Sequence, residues 1–437
     1  MLKIAFAAIL AAAASAEVAA LPAPEADTYI KAGRFFDGRA APHKEVTLLV
    51  TDGKVARVGN DIPIPPGAHL VDLSNKTVLP GLIDAHTHIA LHAGGYDRQI
   101  LRETPEFRAI WAGLNARKTL EGGVTTIRDL GNEGAGFADL AIRDAIAQGL
   151  VPGPRIVAAI QPITSTGAYG LTGYSPYLEV PALSTSADGV GEIRKGVRRL
   201  LSQGADVIKI YMESFEKKET RQDQLSGAMN YSREELSAIV DEAHRGKVRV
   251  AAHTYSDEAA RIAIDVGVDS IEHGLYLSEP TFRLMAERGI FYVPTLLVYE
   301  LWRDGEVLAP VSAERRMQLS KTVEEHTQTF KRALKTPVRI AFGSDTAELP
   351  GTNARELELM VSYGMSPLDA LRAGTLVSAI LLGVEENTGT IEPGKSADII
   401  AVDGDPFQDM RALRSVSFVM KEGKVYVRDG ISVPEKR

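Results

Sequence analysis

The sequence predicts a (β/α)₈ TIM barrel together with a small β-sandwich domain formed from both ends of the chain. The middle of the chain alternates strand-like and helix-like segments eight times, which is the pattern of such a barrel. Short strands separated by turn signals occur before and after this middle part. Histidine, lysine and aspartate residues follow several predicted strands, at the end of the barrel where functional groups gather.

The first residues, 1–16, are predicted to be a secretory signal peptide. Lys3 precedes an apolar run over residues 4–14, and Ala14-Ser15-Ala16 has the small-x-small pattern that signal peptidase cleaves. A buried N-terminal helix is the alternative, whereas a membrane span is disfavoured because crossing a bilayer takes roughly 20 apolar residues. We therefore expect an exported protein, periplasmic or extracellular, whose mature chain begins near Glu17.

The composition limits the classes of partner. The chain has 437 residues, of which 45% are hydrophobic and 24% charged, as in globular proteins. The formal net charge of −8 argues against nucleic acid and against anionic membrane surfaces as partners. With no cysteine there is neither a disulfide nor a thiolate metal site. We expect a small-molecule ligand, and any metal must be held by histidine, carboxylate or a rarer ligand.

The two chain ends have the texture of a β domain. Turn signals such as Asp52-Gly53 separate short strands over residues 17–80, and Glu392-Pro393-Gly394 does the same within residues 389–437. These two segments are predicted to pair into one sandwich-like domain, and residues 81–388 are predicted to form the barrel.

The strands of the barrel are apolar runs separated by helical patterns. One of these helices is predicted to begin with Ser232 and Glu235 at capping-box spacing. The eight predicted strands cover residues 78–85, 124–129, 155–164, 206–212, 248–255, 270–273, 291–296 and 338–345.

Six ligand-type residues lie at the ends of five of these strands. They are His86 and His88 after the first strand, Lys209 on the fourth, His253 on the fifth, His273 on the sixth and Asp345 on the eighth. A single histidine at a strand end is more often structural, and an aspartate there can simply cap a helix. Their joint occurrence favours a metal site, and neutral imidazoles suit an ion such as Zn²⁺.

Lys209 lies inside the apolar stretch "ADVIKIYMES", which reads as a buried strand. A lone ammonium group there costs several kcal/mol, by rough estimate, unless it is paired, neutralised or chemically changed. The alternative is an unmodified lysine whose head group reaches the mouth of the barrel.

The sequence resembles the metal-dependent amidohydrolase superfamily over nearly the whole mature chain. The family pattern is His-x-His on strand one, a carboxylated lysine on strand four, histidines on strands five and six, and an aspartate on strand eight. The stretches "VLPGLIDAHTH" and "GTIEPGKSADIIAVDGDP" are similar to the family's junctions with its β-sandwich domain. The stretches "TTIRDLG", "DVIKIY" and "SIEHG" are most similar to the Xaa-Pro dipeptidase and ochratoxin-amidase branch.

The resemblance implies two divalent metal ions, with zinc as the expected metal. It implies that His86, His88 and Asp345 hold one ion, that His253 and His273 hold the other, and that carboxylated Lys209 bridges them. Burial makes this reasonable, because it lowers the pKa of a lysine and leaves a neutral amine that can add CO₂.

The implied reaction is hydrolysis of a linear amide that releases a C-terminal amino acid from a dipeptide, an N-acyl amino acid or a substrate like ochratoxin A. Asp345 would accept a proton from the attacking water, and Tyr211 would donate to the oxyanion or merely pack against the wall. A cyclic-amide hydrolase, a lactonase and a deaminase are the alternatives on the same barrel. Deaminases of this fold usually lack the strand-four lysine and carry glutamate at the position of Ser256. A non-catalytic scaffold is less consistent with six retained ligands.

Substrate contacts are expected from a glycine-rich loop at residues 165–181. Its residues Tyr169 and Tyr174 are candidate substrate contacts, as in an aromatic lid. Many relatives have Gly-Gly-His where this chain has Gly167-Ala168-Tyr169, so the substrate cannot be carried over from them. His92 is a further candidate because it follows the first motif closely. The resemblance also implies a homo-oligomer, such as a ring or octamer.

Overall fold

The computed structural model describes residues 27–171, 173–175, 177–214, 225, 227–306, 312–346 and 349–434. The expected signal peptide, residues 1–16, lies outside the described residues. Within them the chain is a mixed α/β structure, in which strands from both chain ends share one sheet and parallel strands with helices form the middle.

Four strands open the chain and belong to the sheet shared by both ends. They are β1 (Thr28–Phe35), β2 (His43–Thr51), β3 (Lys54–Gly59) and β4 (His69–Pro80). Strand β1 pairs antiparallel with β2 and parallel with β4. Asp52 and Gly53 connect β2 to β3 with φ of 49° and 73°, which is the geometry that Asp-Gly favours in tight hairpins.

The middle of the chain contains ten strands that pair in parallel with their neighbours. They are β5 (Leu82–Thr87), β6 (Val124–Asp129), β7 (Arg155–Ala158), β8 (Ile163–Thr164), β9 (Thr185–Ser186), β10 (Val207–Tyr211), β11 (Arg249–Thr254), β12 (Ser270–His273), β13 (Phe291–Val293) and β14 (Arg339–Ile340). They form a three-stranded sheet in the order β5-β6-β7 and a seven-stranded sheet in the order β14-β13-β12-β11-β10-β8-β9.

Helices separate most of these strands. They are α1 (Tyr96–Arg102), α2 (Pro105–Glu121), α3 (Ala138–Ala147), α4 (Gly189–Gln203), α5 (Arg233–Arg245), α6 (Asp257–Val266), α7 (Glu279–Arg288), α8 (Leu296–Asp304), α9 (Ala313–Ala333), α10 (Arg355–Ser362), α11 (Pro367–Arg372) and α12 (Ser378–Leu382), with a π-helical turn at Ala373–Val377 and a 3₁₀ turn at Met410–Arg414. The predicted capping box of Ser232 and Glu235 begins α5. Among the described residues, no helix combines the length and apolar character needed to span a bilayer.

Four predicted strands have wrong boundaries. The one predicted at residues 291–296 ends at Val293, because Leu296 already begins α8. Residues 78–85 are divided between β4 and β5 at Gly81, where a Cβ atom would lie 2.2 Å from Thr125 Oγ1. Residues 155–164 are divided between β7 and β8, because Ile160 has a left-handed φ of 68°. Residues 338–345 form a ladder only at Arg339–Ile340.

The last four strands complete the sheet shared by both ends. They are β15 (Ile399–Val402), β16 (Val416–Lys421), β17 (Lys424–Arg428) and β18 (Ile431–Ser432). The order is β18-β17-β16-β15-β4-β1-β2-β3, with β15 antiparallel to β4. The predicted pairing of the two chain ends is therefore present, whereas the sandwich form and the domain boundaries stay predictions.

A buried carboxylate joins β5 to the segment that follows β14. Asp84 accepts hydrogen bonds from the backbone N–H groups of His86 and Ser344, each at 3.0 Å. It also accepts from the Ser344 hydroxyl at 2.5 Å and from Asn353 Nδ2 at 2.8 Å. Burial raises the pKa of Asp84 to about 6. This carboxylate fixes the segment of Asp345 against the segment of His86.

Replacing Asp84 by alanine should destabilise the fold, because buried donors on His86, Ser344 and Asn353 lose their acceptor. We expect the free energy of unfolding to fall by about 3 kcal/mol. Asp72→Ala, at an exposed position of β4, is the matched control and should change it by less than about 0.5 kcal/mol. Urea denaturation followed by circular dichroism measures both. Equal midpoints for Asp84→Ala and the wild type would contradict this role.

Candidate metal centre

The histidines predicted as ligands lie close together at the carboxyl ends of neighbouring strands. His86 is near the end of β5, His253 is the last but one residue of β11, and His273 ends β12. The ring centroids of His86 and His273 are 4.9 Å apart, and those of His253 and His273 are 4.4 Å apart. The His88 ring lies 5.5 Å from that of His86. Parallel strands thus bring together residues that are almost 190 positions apart in the chain.

Asp345 faces this histidine cluster. Its Oδ1 lies 3.4 Å from His88 Nε2 and 3.9 Å from His86 Nε2. Among the described residues, His86, His273 and Asp345 form a group whose ligand atoms all lie within 4.8 Å of one another, a spacing that could hold a metal ion. The expected division of ligands placed His273 with His253 instead, so His273 is within reach of both halves of the cluster.

Hydrogen bonds at Nδ1 orient three of the rings. At 2.7–2.8 Å, the Nδ1 partners are Glu272 Oε2 for His86, the Gly131 carbonyl for His88 and Thr295 Oγ1 for His273. Such contacts fix the orientation of an imidazole and leave Nε2 available to a metal.

Burial favours the neutral, ligating form of most of these rings. It lowers the pKa of His86, His253 and His273 well below the ordinary value, and the nearby Lys209 charge adds to the shift for all three. His88 differs. Burial opposes its protonation as well, but the charges of Asp345 and Glu133 outweigh that effect and raise its pKa.

Lys209 is completely buried on β10, and its Nζ has no hydrogen-bond partner among the described residues. Burial lowers the pKa of Lys209 to about 8, although the charges of Glu272 and Asp345 oppose the shift. Nζ lies 5.4 Å from the centroid of the Tyr211 ring. Divalent cations fit this set of groups: a buried amine without a hydrogen-bond partner among the described residues, three imidazoles that favour the neutral form, and a carboxylate.

Asp345 and His273 sit on strained backbone. Their φ angles are 52° and 67°, in the left-handed region that non-glycine residues adopt rarely. Burial also raises the pKa of Asp345 to about 6, against the opposing charges of His88 and Lys209. The strand ends are therefore shaped to present these side chains.

Tyr211 and Tyr169 form an aromatic wall beside the cluster. Their rings stack with centroids 4.6 Å apart, and the Tyr211 ring lies 4.4 Å from that of His253. The Tyr169 hydroxyl donates to Glu133 at 2.6 Å, and the Tyr96 hydroxyl donates to the same oxygen of Glu133. Through the shared Glu133 oxygen, Tyr169 is thus linked to Tyr96 of α1.

The structure does not bring Tyr174 and His92 into the ligand group. Tyr174 is 40% exposed, and its hydroxyl donates to Asp97 at 2.5 Å. The His92 ring stacks on Trp111, with centroids 4.4 Å apart, and its Nε2 lies 2.8 Å from Glu103. Tyr174 therefore ties the loop of residues 165–181 to α1, and His92 packs against α2.

Sequence reasoning missed the residues that orient the ligands. Glu272 and Arg128 occur in the stretches "SIEHG" and "TTIRDLG", but nothing in the sequence indicates that they meet each other. Thr295 carries no local signal. Its φ of 51° is a strained value for a β-branched residue, and the next two backbone N–H groups donate to the buried Glu356 at 2.8 and 2.6 Å.

Comparison with known proteins identifies relatives along the chain. The model of the "Amidohydrolase family" matches residues 77–427. Ochratoxinase of Aspergillus niger is 31% identical over 435 aligned residues, which cover 92% of this chain and 87% of that protein.

Two solved structures are similar in fold as well as in sequence. A Xaa-Pro dipeptidase with methionine bound in its active site has 31% identity and a TM-score of 0.83, covering 92% of this chain and 100% of the other. A prolidase complexed with N-methylphosphonate-L-proline has 27% identity and a TM-score of 0.81, with the same coverage. These similarities imply a TIM-barrel fold.

The contact between His273 and Thr295 predicts a specific loss of stability in Thr295→Val. Valine keeps the β-branched shape and the backbone strain but leaves the buried Nδ1 of His273 without its 2.7 Å partner. We expect the free energy of unfolding to fall by about 1–3 kcal/mol.

Thr322→Val is the matched control. Thr322 is also fully buried, but its hydroxyl only bonds back to the Gln318 carbonyl of its own helix, at 3.2 Å. Denaturation of both variants by urea measures the difference. An equal effect of the two substitutions would show that the His273 contact contributes no more than an ordinary buried hydroxyl.

Proposed function

Because this chain belongs to the amidohydrolase family, in the branch of ochratoxinase and the Xaa-Pro dipeptidases, we propose that it hydrolyses a linear amide bond and releases a C-terminal amino acid. The chain is a hydrolytic enzyme of a family that is generally metal-dependent. The observation that carries the proposal is the convergence of four imidazoles, a carboxylate and the buried amine of Lys209, which has no hydrogen-bond partner among the described residues.

The proposed metal ligands are the six residues expected from the sequence: His86, His88, Lys209, His253, His273 and Asp345. Two divalent cations, of which zinc best suits nitrogen and oxygen ligands, would supply the Lewis acidity that activates water and polarises an amide carbonyl. Burial lowers the pKa of Lys209 to about 8, which raises the share of neutral amine near neutral pH, and addition of CO₂ to that amine with loss of a proton would give a carbamate with two donor oxygens.

Asp345 is the proposed proton carrier of the reaction. Its carboxylate lies among the imidazoles, and its pKa of about 6 is close to neutral pH because of burial. A general base with such a pKa can accept a proton from water and return it to the leaving nitrogen. Tyr211, whose ring lies 4.4 Å from that of His253, is the proposed donor to the oxyanion or to the substrate.

The proposed substrate is a dipeptide, an N-acyl amino acid or an amide like ochratoxin A, with an apolar or aromatic group. The stacked rings of Tyr169 and Tyr211 support this, since aromatic faces bind apolar rings. The names of the relatives, a dipeptidase, a prolidase and an ochratoxinase, support the same class of amide.

We also propose that the parallel strands close into a barrel over residues 81–388, and that residues 17–80 and 389–437 form a β-sandwich. Backbone hydrogen bonds at both margins of the three-stranded sheet support closure: Ala85 N–H donates to the Phe342 carbonyl, and Asp206 N–H to the Ala158 carbonyl, each at 2.8 Å. A separate apolar core inside the eight-stranded sheet supports the sandwich.

The six-ligand site predicts about two metal ions per chain and a specific effect of Lys209→Ala. Loss of the amine removes the proposed bridging carbamate, so we expect the variant to lose at least one ion and nearly all activity. Lys195→Ala, at an exposed position of α4, is the control and should keep both ions. Elemental analysis of the purified proteins gives the metal content, and native mass spectrometry gives the carbamate. Full metal content together with full activity in Lys209→Ala would contradict the bridging role.

The proton-carrier role predicts that Asp345→Asn keeps the fold but lowers kcat by about 10² to 10⁴, the range of general acid and base groups. Asp241→Asn, on the exposed face of α5, is the control. The measurement is hydrolysis of a panel of dipeptides and N-acyl amino acids by the metal-loaded enzyme. If the enzyme ignores every linear amide but opens lactones or deaminates heterocycles in an Asp345-dependent manner, the amidase proposal is wrong while the metal site stands.

A further inference from the structure

Glu272 is a fully buried carboxylate directly behind the proposed metal ligands. One of its oxygens, Oε2, lies 2.8 Å from His86 Nδ1. The other, Oε1, accepts from Arg128 Nη2 at 2.8 Å and from the Ser270 hydroxyl at 2.5 Å. Both oxygens are therefore used within the protein, and one of them contacts a metal-ligand imidazole.

Arg128 is buried to the same degree and is fully engaged on this side of the site. Its Nε donates to the Ala85 carbonyl at 2.6 Å, next to His86 in the chain, and its Nη1 donates to Ser270 at 3.2 Å. Arg128 thus supports both the backbone before His86 and the carboxylate that contacts its ring. The opposite charges offset each other's cost of burial.

The Nδ1 partner of His86 differs from those of the other rings. His88 bonds to a backbone carbonyl and His273 to a hydroxyl. Glu133 lies 3.4 Å from His88 Nδ1, but the 2.8 Å hydrogen bond of that nitrogen is to the Gly131 carbonyl. Of these three rings, only His86 has an anionic partner at close hydrogen-bond distance. A carboxylate partner makes an imidazole a stronger donor to a metal than a neutral partner does.

We propose that Arg128 and Glu272 are positioning residues that strengthen the cation site containing His86, so that the two proposed metal ions bind with unequal affinity. This inference rests on the proposed metal centre and adds an order of affinity to it. The ion near His86 is the tighter one, and the other ion is the one lost first on chelation.

Glu272→Gln tests the proposal because it keeps the size of the side chain and an acceptor oxygen but removes the charge. We expect the affinity of one ion to fall 10- to 100-fold, the usual effect of removing such a partner, while the other affinity stays unchanged. Glu242→Gln is the matched control, since Glu242 is also a buried glutamate paired with arginine, at 2.7 Å from Arg198, but lies on α5 away from the site. It should change neither affinity.

The double variant Arg128→Met/Glu272→Gln guards against misfolding, because it removes both buried charges together and leaves neither unpaired. It should show the same selective loss as Glu272→Gln. Arg128→Lys keeps the positive charge and should retain part of the tighter binding. Thermal unfolding of the metal-free proteins confirms that each variant is folded before metal is added.

The measurement is calorimetric titration of the chelator-treated protein with Zn²⁺, which reports stoichiometry and both affinities without any substrate. Two sites in the wild type and a selective loss in Glu272→Gln support the proposal. Two sites in the wild type with both affinities unchanged, or both lowered equally, overturn it and leave the proposed function intact. No zinc site in the wild type overturns the proposed metal centre itself.

Discussion

The structure depends on burying ionisable side chains around the parallel strands and giving their carboxylates hydrogen-bond donors there. Asp84, Glu272 and Glu356 are fully buried carboxylates, and each has its own donors: the segment of Ser344, Arg128, and the start of α8. Lys209 differs from them: it is fully buried as well, but its Nζ has no hydrogen-bond partner among the described residues. An isolated buried charge costs several kcal/mol, roughly, so an amine in this position is expected to be compensated by a charged group that binds there or is added to it.

Residues with strained backbone are also held by hydrogen bonds of the buried network. His273, Thr295 and Asp345 all have left-handed φ angles, and such conformations cost about 1–3 kcal/mol each. Thr295 is held by the hydrogen bonds of the following residues to Glu356, and Asp345 by its N–H bond to the His86 carbonyl at 2.8 Å. The surrounding network therefore keeps the ligand side chains in orientations that the local backbone alone would not choose.

The ligand residues could be predicted from the sequence because their signal is local. The histidines lie where apolar strands end, so strand periodicity is enough to place His86 or His253 at the same end of the sheet. The contact between Arg128 and Glu272 joins residues 144 positions apart. It depends on the closeness of β6 and β12 in space, which no local pattern encodes.

Closeness along the chain does not by itself bring a side chain into the ligand group. His92 follows the first histidine motif by four residues, yet its ring packs against Trp111, because the chain turns away after β5. The strand predicted at residues 338–345 is mostly irregular for a related reason. Only Arg339–Ile340 pair with β13, and Asp84 holds the residues that follow through side-chain bonds.

Glu133 connects the loop of residues 165–181 to the histidine cluster. It accepts from Tyr169, which belongs to the loop of residues 165–181, and from Tyr96 in α1, while its other oxygen lies 3.4 Å from His88 Nδ1. The phenol of Tyr169 thus closes a chain of contacts that runs from the loop through Glu133 to His88. A change at Tyr169 therefore acts on two properties together: the aromatic wall that it forms with Tyr211, and the position of the Glu133 carboxylate beside His88. The position of the loop and the electrostatics of the histidine cluster are therefore linked through this one carboxylate.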